Sequence, residues 1–66
     1  MSKFIKIRDV YFRKEFVHSI QLYHRSDSNV WIVGVMDGHL SVSEEFGNNK
    51  ENAEKRRDEI IKILDE

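Results

Sequence analysis

Cysteine and proline are both absent from this 66-residue chain. Without cysteine there is no disulfide framework, no thiolate nucleophile and no Cys-ligated zinc or iron–sulfur site. Without proline no turn has a preset φ, so unusual backbone angles are expected to fall to the three glycines. Long apolar runs are missing too: the longest is Val30–Met36, Gly34 counted, against the roughly 20 residues of a membrane span. Lys3, Lys6 and Arg8 punctuate the first ten residues before an apolar stretch can form, so no signal peptide is read there. A cytoplasmic protein without membrane partners is expected. Nor is there a large charge of one sign. Eleven Lys and Arg against twelve Asp and Glu leave −1, which does not favour non-specific attraction to nucleic acid.

What is present suits one small folded domain over residues 1–66, with 39% hydrophobic and 35% charged residues. A domain of about 60 residues buries only about 60% of the surface its unfolded chain exposes, so its stability margin is thin. Such domains commonly draw on a disulfide, a metal or a partner subunit. With no cysteine and no ligand set, a homo-oligomer (dimer or higher) is the expected supplement.

The apolar pattern predicts strands followed by one helix. Residues 3–8 alternate, with Ile5 and Ile7 on one face. Asp9–Glu15 breaks the alternation and reads as a connector whose Val10, Tyr11 and Phe12 close one end of the core. Residues 16–25 place Phe16, His18, Ile20, Leu22 and His24 opposite Val17, Ser19, Gln21, Tyr23 and Arg25. Residues 30–37 and 39–46 flank Asp37-Gly38, a two-residue hairpin signal. Asn48 and Glu51 have the spacing of a capping box before a helix over 50–65. Its apolar positions, Ala53, Ile60, Ile61, Ile63 and Leu64, span an arc of about 160°. The expected fold is α+β: a four-stranded antiparallel β-meander with one C-terminal α-helix on one face, ββββα.

One helix covers one face of a sheet, yet Val30–Met36 is apolar on both. That excess is met either by the Val10–Phe12 connector covering the outer face or by a second subunit or partner there, and Trp31, Ile32, Val33 and Met36 are the candidate oligomer contacts.

Catalytic candidates do not assemble. His18 and His24 share a face but lie about 20 Å apart along a strand, too far to chelate one metal. His39 near Asp37 is an incomplete site, and Glu44 and Glu45 point to opposite faces. No serine sits in a nucleophile elbow and no glycine-rich phosphate loop occurs. No enzyme, metal or cofactor is expected.

Charge is unevenly spread. Up to Arg25 there are six bases against two acids, or +4; from Ser26 on there are five against ten, or −5. The basic half includes Lys3 and mixes with Tyr11, Phe12 and Tyr23, a combination able to grip a nucleotide or a single strand. It also suits charge pairing with the acidic helix. Arg57 lies inside the apolar arc of the helix and Arg56 at its edge, where a guanidinium can fork an anion. Tyr11, Tyr23, Arg25, Arg56 and Arg57 are therefore the candidate ligand or partner residues.

Glu15-Phe16-Val17-His18-Ser19-Ile20, the Asp37-Gly38 hairpin and the Ile60–Leu64 helix end are similar to the pattern of small flagellar FlbD-type proteins. That resemblance implies a meander-plus-helix build and a flagellar regulatory role. The short chain also resembles phage-encoded inhibitors that block or sequester a host component. The expected function is a non-catalytic, self-associating binding protein that masks a host protein or sequesters a small anionic, nucleotide-like ligand. A nucleic-acid-associated regulator using the basic side is the alternative, beside the flagellar one.

Overall fold

The computed structural model describes residues 4–66, so Lys3 and its place in the first expected strand lie outside the described residues. The fold is α+β with one C-terminal helix, but its strands form two antiparallel sheets instead of a single four-stranded meander. Strands β1 (Phe4–Ile7) and β2 (Val10–Arg13) make a hairpin. Strands β3 (Ser19–Arg25), β4 (Val30–Met36) and β5 (Ser41–Glu45) make a meander in sequence order, and α1 (Lys50–Leu64) follows.

The segment expected as a connector is thus a strand. Val10 opposes Ile7 and Phe12 opposes Ile5, so β2 turns its even positions inward as β1 turns its odd ones. The signal was hidden in the turn. Arg8 and Asp9 join the two strands, and Arg8 adopts φ +57°, a conformation usually marked by glycine or asparagine.

Two further boundaries move. Lys14–Phe16 forms a single 3₁₀ turn closed by the Val17 N–H donating to the Lys14 carbonyl, so β3 begins at Ser19 and Phe16 stays 54% exposed. The β4–β5 connection is the four residues 37–40, because the Asp37 carboxylate accepts from the N–H groups of His39 and Leu40 and closes a wider turn. Gly38 supplies φ +100° there. The helix cap also shifts by one: Asn49 Oδ1, not Asn48, accepts from the Asn52 N–H at 3.0 Å.

The core lies on one side of the three-stranded sheet. Val33 and Val35 of β4 meet Ala53 and Ile60 of α1 together with Ile5, Ile7 and Phe12 of the hairpin. Ile20, Leu22, Trp31 and Val42 flank them on the same face. Helix and hairpin therefore share the work of covering that face. At the far end, Lys14 Nζ donates to the Glu66 carbonyl and ties the 3₁₀ turn to the end of the helix.

Candidate functional site

The register of the three-stranded sheet sorts the candidate residues by face. Trp31 and Val33 point toward helix and hairpin, and Val33 is fully buried there. Ile32 and Met36 belong to the opposite face, flanked by Tyr23 and Glu45 and by Ser19 and Ser41 respectively. The four expected oligomer contacts are therefore split between two sides. Ile32 itself is only 1% exposed. The Tyr23 ring leans over β4, its Cε1 lying 3.8 Å from where a Cβ on Gly34 would stand. The second face of β4 is thus an apolar stripe bordered by polar neighbours: Gln21, Arg25, Ser43 and Glu45 all belong to that side.

The five ligand candidates are likewise not brought together. Tyr23 and Arg25 are neighbours on the outer face of β3. Tyr11 is on the hairpin, with Lys6 Nζ 5.8 Å from its ring centre. Arg56 and Arg57, adjacent on α1, project about 100° apart. Arg56 Nε donates to Glu44 Oε1 at 2.8 Å and its Nη2 to the Lys6 carbonyl at 2.9 Å, so one side chain links α1, β5 and β1. Arg57 Nε pairs with Asp58 Oδ1 at 3.2 Å. An arginine at the edge of an apolar arc either lays its stem on the core and turns its head to solvent or forks an anion; here Arg56 forks the chain's own Glu44 carboxylate and Lys6 carbonyl.

The histidines occupy three separate places. His18 lies against the Gly38 turn. The His24 ring lies tilted against Trp31, their centres 4.7 Å apart, with Asn29 Oδ1 2.8 Å from its Nε2, and Lys50 Nζ sits 5.2 Å from the Trp31 ring centre. His39 is in the 37–40 turn. Among the described residues no three metal-ligating side chains cluster. The Asp37 carboxyl is held below its ordinary 3.8 by the N–H groups of His39 and then Leu40. No helix among the described residues is long and apolar enough to cross a membrane.

The features that remain open are the two edges of the sheet. The Phe46 N–H donates to the Trp31 carbonyl and the Asp37 N–H to the Leu40 carbonyl, so the odd residues of β4 bond toward β5. By the same alternation the even ones bond toward β3, and the N–H and C=O groups of Ile20, Leu22 and His24 point away from the sheet. Beside that edge runs an apolar groove of about 280 Å³ lined by Val17, His18, Ser19, Ile20, Ile61 and Leu64. Ile61 is 41% exposed there. The β5 edge differs. Its outward groups belong to Ser41, Ser43 and Glu45, and the Arg8–Asp9 turn of the hairpin stands beside them across an open cleft.

Ile61 and Arg8 were not singled out by sequence. Ile61 carried a usable signal, since it marks one end of a 160° arc (about the limit one sheet face covers). Arg8 carried none. Comparison with known protein families, with curated proteins and with solved structures finds no match.

Proposed function

We propose that the protein acts by stoichiometric contact, as a non-catalytic, self-associating binding protein that masks a partner protein in the manner of phage-encoded inhibitors. The observation that carries the self-association is the open β3 edge with an apolar groove beside it, and the outer face of the sheet, where Tyr23 is 40% exposed, is left for the partner. Unpaired strand edges offer a row of backbone donors and acceptors, and adjacent apolar pockets give such pairing selectivity. Capture of a small anion receives less support, because Arg56 is engaged by Glu44 and Lys6 and stands apart from Tyr23 and Arg25.

Native mass spectrometry of protein purified gently from its expression host tests this directly. A multimer, free or joined to a protein at a fixed ratio, is expected. Added mass of a few hundred daltons on each chain would replace masking with ligand sequestration, and a clean monomer that binds nothing would overturn both. A complex lost steeply with rising salt would point to a nucleic-acid backbone as the target.

A further inference from the structure

We infer that the β3 edge is the self-association surface, taking β3 of a second copy antiparallel to it so that two three-stranded sheets join into one of six strands. This rests on the self-association proposed above and assigns it a place other than the sheet face.

The two edges of the sheet are guarded differently. Natural edges are blunted by charge, proline, bulges or a covering segment. β5 is five residues long, contains Glu44 and Glu45, and has the hairpin turn beside it. β3 is seven residues long, pairs with β4 without interruption, and has no charged Lys, Arg, Asp or Glu before Arg25. No strand among the described residues covers it.

The strand is also complementary to itself. With a two-fold axis at Leu22 all seven residues pair: Leu22 meets its own copy, Ile20 meets His24, Gln21 meets Tyr23 and Ser19 meets Arg25. No like charges are opposed, and Leu22 and Ile20 fall on outward-bonding positions, so each Leu22 can exchange both backbone bonds with its counterpart. On the helix side the same pairing extends the half-buried Ile20 and Leu22 into a continuous apolar row. The exposed Ile61 borders that row on the groove side.

Sedimentation velocity across a concentration series decides it, using three forms of the full chain. The unmodified protein should sediment as a dimer. A synthetic chain with N-methyl-Leu22 keeps every side chain and removes one outward N–H; Ile61→Glu places a charge on the groove. Each should weaken dimerisation by tenfold or more while the far-UV circular dichroism stays unchanged, and Ile61→Glu decides alone if the N-methyl chain fails to fold. A dimer that survives in every folded variant would overturn the edge assignment and leave self-association standing. A monomeric unmodified protein would overturn both. A nitroxide on Gln21→Cys gives the register: in the dimer the two Cα atoms at position 21 should be about 8 Å apart, and a separation several times larger would refute the pairing.

Discussion

Arg56 and Glu44 form the one ion pair in the described residues whose two side chains are both mostly covered, at 23% and 20% exposure. The same guanidinium reaches the Lys6 carbonyl, so a helix, a sheet edge and the separate hairpin meet on one side chain. Removing one partner from such a pair leaves the other with unsatisfied polar atoms. Arg56→Ala should cost about 2 kcal/mol, lowering Tm by roughly 10 °C for a chain this small. Glu44→Ala should cost less, because Arg56 keeps Lys6. Thermal melts of both singles and the double variant would show the coupling as non-additivity.

The Asp37 carboxylate closes its turn most strongly when ionised, because the charged oxygen is the better acceptor for the His39 and Leu40 N–H groups. Its folded-state pKa is depressed, so its contribution is present above the ordinary value and disappears as pH falls through the depressed one. Asp37→Ala should therefore be less stable than the parent at neutral pH. The gap should close in strong acid. Urea unfolding at the two pH values measures it, and a gap independent of pH would contradict the turn assignment.

Two glycines should respond with opposite signs to alanine. At Gly34 the new methyl would stand 3.7 Å from Ser43 Oγ and 3.8 Å from Tyr23, ordinary contacts in the middle of a strand. Gly34→Ala is expected to gain about 0.5 kcal/mol by restricting the unfolded chain. Gly38 has φ +100°, which an alanine adopts only with strain, and Gly38→Ala should lose about 1 kcal/mol. Chemical denaturation of both variants reads the two signs.

Trp31→Ala separates packing from assembly. The indole is partly buried on the helix side, between His24 and Lys50. Its loss should cost about 2 kcal/mol through the contacts removed, without changing the sedimentation of the folded protein. A folded variant whose oligomeric state changed would return Trp31 to the interface.

How far the sequence carried this picture depended on which physical cue each element left behind. β4, β5 and α1 were readable because apolar runs and alternation, a glycine turn and a wide helical arc are all local patterns. β2 was not, since Val10, Tyr11 and Phe12 run apolar without alternating and its turn uses Arg8 in a glycine-like conformation. The sorting of Trp31 from Ile32 needed the pairing with Tyr23 and Glu45, which no local pattern contains. The tie of Arg56 to Glu44 and Lys6 joins residues 12 and 50 positions apart. From composition alone it is indistinguishable from a free anion fork.

The division into two sheets has a consequence for the order in which the chain comes apart. Ile5, Ile7 and Phe12 are among the largest fully buried side chains, yet their hairpin shares no backbone ladder with the other three strands. Side-chain packing and the Arg56 bond to Lys6 hold it against them. The β3–β4–β5 ladder, built from adjacent segments, can persist after the hairpin has left. Amide protons of β1 and β2 should then exchange with deuterium before those at the centre of β4, and Arg56→Ala should widen that difference. The first departure would uncover Val33 and Val35, turning the protein's most protected side into its stickiest.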